Sequence, residues 1–340
     1  MKGRQILLDH LDGREAAALM VDGQLDDLLI DADTPRPGTI YRAVTDRPVK
    51  GQGGVFLKTP DGAAYLRGVK GIGPGETVQV QVTGYAEPGK AIPVSHKVLF
   101  KSRYAIVTPD APGLNLSRSI RDEDARDALL ALAHEGMGDS PMGLIIRSAA
   151  ATADPSEVAA DIDAMHALAE AVTADQGTGP EVLAEGDGPH VLAWRDWIDP
   201  AEVVTDAGCF ETHGVLDAID RSKGPFVALD GGAGMYVEAT RALVAVDVNT
   251  GADGSFAAGL RANLACARRL PAALRVRGLG GQVTIDLAPM PKKERKTFEA
   301  ALKAALRKDE IDTVMAGWTP LGHYELQRKR ARLPLTEVLV

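Results

Sequence analysis

Apolar and polar positions along this chain change period several times, and each change marks a new set of elements. In the first 31 residues, short apolar runs at 5–9, 16–21 and 25–31 are separated by Asp12-Gly13 and Asp22-Gly23. Asp-Gly between apolar runs is a hairpin signal, so this segment predicts a β-meander. The cluster Thr34-Pro35-Arg36-Pro37-Gly38 breaks the pattern and predicts a domain boundary. Short strands with Gly-rich turns follow to about residue 98. In residues 77–83 the alternation is strict, with Val78, Val80 and Val82 on one face. Closely spaced short strands of this kind suit a small barrel of the OB type.

From Arg103 the pattern becomes mixed. Residues 121–135 have helical spacing, residues 142–147 form a short apolar strand, and residues 155–172 form a second helix with Pro155 as its first residue after an Asp154 cap. A loose stretch at 174–189 closes this region. Residues 242–248 and 282–287 then predict two buried-type strands, with a helix of about 20 residues at 256–277 between them. Pro271 is expected to kink that helix, and Gly278, Gly280 and Gly281 to end it. Strand, helix, strand in this order predicts a right-handed crossover and parallel pairing. A last amphipathic helix is expected at 291–308, burying Phe298, Leu302 and Ala305.

The two strands of that crossover carry the candidate chemistry. The first ends Asp247-Val248-Asn249, whose outer residues share one face because side chains alternate. The second ends in Asp286. Parallel pairing would bring Asp247 and Asp286 to the same, C-terminal edge, where open α/β sheets bind ligands. A lone strand-end Asp is usually a cap. Two at matching ends, with no Lys or Arg beside them in sequence, either repel or share a cation. Mg²⁺ takes oxygen ligands and often uses one or two carboxylates with substrate phosphate. Spacing alone leaves hydrolase and kinase-like uses open.

Charge modifies this picture. The formal net charge is −9, which taken alone argues against a nucleic-acid partner. Residues 265–340, however, hold 15 Lys and Arg against 8 Asp and Glu, so the C-terminal part is basic and could meet an anion. No run of about 18 apolar residues occurs and no signal peptide is legible, so a cytoplasmic protein is expected. Cys209 and Cys266 lie far apart without a CxxC pair, so no structural zinc is expected and both should be buried thiols.

The stretches ALVAVDVNTG at 242–251, Asn263-Leu264, RVRGLGGQVTID at 275–286 and GWTPLGHYELQRKR at 317–330 resemble, in order and most spacings, the catalytic region of the ribonuclease E/G family. The resemblance implies a catalytic centre of Asp247, Asn249 and Asp286, with Asp247 and Asp286 holding Mg²⁺, or Mn²⁺ in its place. GLIIRS at 143–148 looks like the family's 5′-phosphate sensor, with Arg147 matching and Ser148 standing for the usual Thr. Residues 38–44 and 53–66 look like its OB domain, where Phe56 and Tyr65 match base-stacking positions and Lys90 a basic contact. Arg328 and Arg330 are expected to contact RNA. Trp194-Arg195-Asp196-Trp197 resembles a structural segment of the family.

The implied fold is an α+β multidomain one. An RNase H-like subdomain (1–36 and 186–234) is interrupted by an OB-fold RNA-binding domain (37–100) and a 5′-sensor domain (101–185). A DNase I-like catalytic subdomain (235–340) follows. The implied activity is Mg²⁺-dependent hydrolysis of single-stranded RNA to 5′-phosphate and 3′-hydroxyl products, in RNA processing or decay. The rivals are a non-catalytic single-stranded RNA-binding protein of the same fold and a DNA nuclease. The chain departs from the family in several places. It stops at Val340 without the CPxC zinc-link, so an oligomer would not form through zinc. The OB segment and the region around 209–234 are short. Pro289 replaces the second Asp of the family's second catalytic strand, which is expected to alter support around the site.

Overall fold

In a computed structural model, residues 3–49, 53–69 and 71–339 are described. The chain divides into two compact units, one of residues 1–32 with 200–340 and one of residues 33–199. The fold is mixed α+β, with a five-stranded barrel and several open sheets. No helix among the described residues is long and apolar enough to cross a membrane.

In the first unit the expected meander is present as strands Arg4–Leu11, Arg14–Val21 and Gln24–Ile30. Both turns place Asp and then Gly at positive φ (50° and 77° at Asp12-Gly13, 49° and 77° at Asp22-Gly23), the backbone twist that tight hairpins require. A later segment, Glu202–Val204, joins this sheet parallel to the first strand, a pairing that no local pattern announced.

The second sheet of this unit has six strands, ordered Phe226–Ala228, Gly234–Ala239, Val244–Asn249, Gly281–Asp286, Tyr324–Arg328 and Thr313–Trp318. Only the central pair, Val244–Asn249 with Gly281–Asp286, is parallel. The crossover is the helix Phe256–Val276, capped by the Ser255 hydroxyl, which accepts from the Ala258 N–H. It runs through the buried Pro271 and ends in a Schellman motif. Gly278 N–H donates to the Arg275 carbonyl and Leu279 N–H to the Leu274 carbonyl. Gly278 sits at φ 65°, and a Cβ there would stand 1.8 Å from the Leu333 carbonyl oxygen, so glycine is required twice over. One face of the sheet, with Met235, Val237, Val246, Val283, Ile285 and Leu326, is buried against this helix and against Phe298 and Leu302 of the helix Arg295–Leu306. The opposite face stays open to solvent along the central strands.

A buried charge cluster ties the meander to this layer. Arg275 bonds Asp26 (2.8 Å) and Asp309 (2.7 Å), Arg332 bonds Asp27 (3.0 Å), and Arg328 bonds Asp309 and the Thr313 hydroxyl (2.8 Å). The side chains of Arg328 and Asp309 are fully buried. This corrects the expectation that Arg328 contacts RNA: its guanidinium is enclosed and committed to Asp309.

In the second unit, strands Ile40–Val49, Gly54–Thr59, Gly62–Arg67, Ile92–Ser95 and Thr77–Val82 close into the barrel through pairing of the first with the last. Tyr41, Val55, Leu57, Leu66, Val80 and Val94 help fill its interior. The rest of the unit is a four-stranded sheet, Leu114–Leu116, Gly143–Ile146, Ala105–Thr108 and Phe100–Lys101, packed on helices Glu123–Met137 and Pro155–Thr173. Asp154 caps the second helix and Pro155 is its first residue, as the sequence predicts.

The cluster makes a stability prediction. Burial alone would raise the Asp309 carboxyl, but Arg328 and Arg275 outweigh it and hold its pKa below the ordinary carboxylate value. A depressed folded pKa contributes stability above the unfolded value of about 3.9, and that contribution disappears as pH falls toward the folded pKa. Asp309→Asn should cost this unit about 3–5 kcal/mol near pH 7, because it leaves buried guanidinium charge unpaired. Urea titrations of both proteins at pH 7 and at about pH 3 should show the difference shrinking in acid. A loss below about 1 kcal/mol at pH 7, the size of a surface pair, would contradict the prediction.

Candidate active site

Parallel pairing puts Asp247 directly opposite Asp286, as Cα partners of the central strands. Side chains of directly paired residues share a face, so both carboxylates leave the sheet on its open side. Both are exposed, as is Asn249 two residues on. The Asn249 side-chain amide donates to Asp247 Oδ2 at 2.8 Å. Only the amide nitrogen can donate to a carboxylate, so this bond fixes the Asn249 orientation and leaves its carbonyl oxygen as a further ligand or acceptor. On the far side of Asp286, His323 approaches with Nε2 3.7 Å from Oδ1.

The donor set suits a hard cation. Asp247 and Asp286 supply two carboxylates and Asn249 an amide oxygen, and no arginine or lysine is paired with either carboxylate among the described residues. No group of three or more His, Cys, Asp or Glu that could enclose a metal occurs among the described residues. Two carboxylates and an amide oxygen are hard oxygen donors of the kind divalent cations take. Both cysteines are buried, free thiols. Burial pushes the Cys266 thiol up to about 12 and, with Asp9 beside it, Cys209 up to about 11. They lie in separate cores.

The loop after Asp286 is pinned by a residue that the sequence offered only as part of a matching stretch. Asn263, fully buried on the crossover helix, donates to the Ala288 carbonyl (2.9 Å) and accepts from the Ala288 N–H (3.0 Å). Gly259, one turn earlier, makes room for the same loop: a Cβ there would stand 2.1 Å from the Pro289 carbonyl oxygen.

The other predicted residues fall into two groups in the second unit. Phe56 and Tyr65 are direct partners on neighbouring barrel strands, with ring centroids 5.4 Å apart. Both are half-buried on the outside of the barrel while Val55, Leu57, Ala64 and Leu66 fill the inside. Arg47 lies over the Phe56 ring at 5.4 Å and Arg67 over Tyr65 at 5.9 Å, two cations that the motif match did not single out. Lys90 is exposed and paired with Glu87 at 2.9 Å. Arg147 is largely engaged: it donates to the carbonyls of Ser102, Arg103 and Arg195 and bonds Asp196 at 2.9 Å. Asp196 also receives Lys101 and Arg195. Burial would raise its carboxyl, and these cations hold it well below the usual range. Ser148 follows Arg147 and opens a short 3₁₀ turn, Ser148–Thr152. Trp197 is buried and Trp194 half exposed under Arg103. In the first unit, Arg330 is exposed and its guanidinium lies against Gly281 at the start of the second carboxylate strand.

A model of the Ribonuclease E/G family matches residues 100–207 and 198–331. The chain is similar to ribonuclease G of Salmonella typhimurium at 25% identity, over 98% of this chain and 81% of that protein. It is similar to ribonuclease G of Haemophilus influenzae at 25% identity, over 100% of this chain and 82% of the relative. It is also similar to ribonuclease E of a Nostoc species at 24%, over 96% of this chain and 56% of that longer protein.

Removing Asn263 should loosen the carboxylate edge without touching it. Asn263→Ala leaves the Ala288 N–H and C=O unpaired in the interior, at a cost of about 1–3 kcal/mol for each group. Urea unfolding should show that loss, and amide hydrogen exchange should quicken selectively at Leu287 and Ala288. Unchanged exchange there would remove the anchoring role.

Proposed function

Because the chain belongs to the ribonuclease E/G family, we propose that it is an endoribonuclease that cleaves single-stranded RNA in RNA processing or decay, using divalent metal at Asp247 and Asp286. The observation that carries this reading is the register that sets the two carboxylates side by side at one open edge, with Asn249 bonded to the first. Among the described residues no lysine or arginine pairs with either carboxylate, so charge balance would fall to a cation and to the phosphate it would bring.

In this reading Asp247 and Asp286 are the metal ligands. Mg²⁺, with Mn²⁺ as a substitute, would neutralise charge on the scissile phosphate and lower the pKa of a water. Asn249 orients the Asp247 carboxylate through its amide and offers its carbonyl oxygen toward the same space. Hydrolysis with the 3′ oxygen as leaving group gives a 5′-phosphate on one product and a 3′-hydroxyl on the other. The outer face of the barrel selects single strands: unstacked bases lie on Phe56 and Tyr65, with Arg47, Arg67 and Lys90 meeting the backbone. Arg330 adds a cation to the catalytic unit. Arg147 retains donors beyond its internal bonds, and with the Ser148 hydroxyl it would recognise a 5′-monophosphate. We assign residues 1–36 with 186–234 to the RNase H-like subdomain, 37–100 to the OB domain, 101–185 to the sensor domain and 235–340 to the DNase I-like subdomain.

A 5′-monophosphorylated, AU-rich single-stranded RNA with Mg²⁺ tests this directly. Internal cleavage should stop with EDTA and fall at least about 10²-fold in Asp247→Asn, the size of one electrostatic contribution at a reacting centre. Full cleavage in that variant would overturn the site. RNA binding that survives EDTA without any cleavage would assign the chain to non-catalytic RNA binding.

The sensor is tested separately. The 5′-monophosphate substrate should be cut faster than its 5′-hydroxyl counterpart, and Arg147→Gln should erase the difference. Equal rates for both substrates with the unaltered protein would remove sensing from the proposal.

A further inference from the structure

The registers of the six-stranded sheet extend the carboxylate pair into a row. Phe226 is opposite Tyr236, Tyr236 is opposite Asp247, and Asp247 is opposite Asp286. Four directly paired residues share one face, so two aromatic rings and two carboxylates lie in line across the open side of the sheet. With strands roughly 4.8 Å apart, Tyr236 is one strand from Asp247 and Phe226 two.

Phe226 and Tyr236 are unusual in this chain. Aromatics are scarce, and among the described residues four are exposed: Trp194, Phe256, Phe226 at 51% and Tyr236 at 40%. Two of those four are neighbours and adjoin the carboxylates. Their centroids are 5.4 Å apart with planes inclined by 58°, so one flat ligand could stack on one ring and meet the edge of the other. Gly234 lets the Phe226 ring lie down on the sheet: a Cβ there would stand 2.4 Å from Cε2 of the ring. The barrel repeats this construction, with Tyr65 lying over Gly54 and its centroid also 5.4 Å from Phe56. An aromatic laid over a glycine stabilises a strand pair by covering its backbone. That role needs no position beside two carboxylates and does not use the half of each ring left in water.

We propose that Phe226 and Tyr236 form a base-stacking subsite of the catalytic unit, taking a nucleobase of single-stranded RNA next to the phosphate positioned at Asp247 and Asp286. This rests on the nuclease reading of that edge. Every base has a π face, so the subsite grips the strand without selecting a sequence. It fixes where the strand lies across the sheet, and hence which phosphodiester reaches the carboxylates.

The test couples protein and ligand. Affinity is measured by fluorescence anisotropy in EDTA, where no cleavage occurs, for single-stranded RNAs carrying one abasic nucleotide at successive positions around the cleaved bond. With the unaltered protein, one position beside the cleaved bond should weaken binding roughly 5- to 150-fold, the range of one base–aromatic stack. The Phe226→Ala/Tyr236→Ala double variant should weaken binding of intact RNA by a similar factor and lose sensitivity to that position. Phe226→Tyr and Tyr236→Phe should keep both. If the abasic profile of the double variant matches that of the unaltered protein, the subsite does not exist, even if the variant is less stable. Failure of the nuclease reading shows differently, as RNA left uncut by the unaltered protein with Mg²⁺, and failure of the assigned site as cleavage that persists in Asp247→Asn.

Discussion

Everything proposed at the open edge depends on the parallel in-register pairing of Val244–Asn249 with Gly281–Asp286. Two strands run parallel only if the chain returns to its starting edge between them. Here the 21-residue helix Phe256–Val276 performs that return. Its Schellman stop at Gly278 sets where the second strand begins. Slipping the register by one residue would turn Asp286 to the opposite face from Asp247, into the layer that holds Ile285. The helix therefore does more than cover the sheet: its length and its C-cap decide whether two acidic side chains meet.

Opposite constraints act on the two faces of this sheet. The buried face is closed by alkyl and aromatic packing against the crossover helix and the helix Arg295–Leu306. The charge cluster of Arg275, Arg328, Asp309, Asp26 and Asp27 locks the meander to the same layer. A buried cluster of this kind contributes little over an apolar equivalent, but it is costly to break, and so it specifies one arrangement of the meander. The open face carries two carboxylates, an amide, a histidine and two half-exposed rings. The division follows from the period of two, which sends Val246 and Val248 inward and Asp247 and Asn249 outward.

The acidic net charge is compatible with an anionic substrate once the charges are placed. Part of the C-terminal basic excess is consumed internally, as Arg275 and Arg328 show. Exposed cations remain where aromatics or glycines hold them: Arg47 and Arg67 over barrel rings, and Arg330 against Gly281. A count of lysines and arginines cannot separate these populations, because pairing partners such as Asp26 and Asp309 are distant in sequence.

Local signals in the sequence determined a good deal. They include the Asp-Gly hairpins, the Asp154-Pro155 helix start, the strict valine alternation of the barrel strand Thr77–Val82, and the strand–helix–strand order that makes Asp247 and Asp286 neighbours. Each is set by backbone sterics or side-chain period within a few residues. What tertiary structure decided was whatever depends on two distant segments meeting. Glu202–Val204 joins the meander through a parallel pairing with no local signature. Arg328 ends a strand in a basic run, yet packing encloses it against Asp309. Arg147 matches a phosphate-binding motif, and the fold surrounds it with three carbonyls and Asp196. Phe226 and Tyr236, ten residues apart and apolar in pattern, look like ordinary strand residues until cross-strand register aligns them with Asp247. Periodicity says which way a side chain points along its own strand. Only register says what stands beside it, because that is fixed by how the intervening chain folds back.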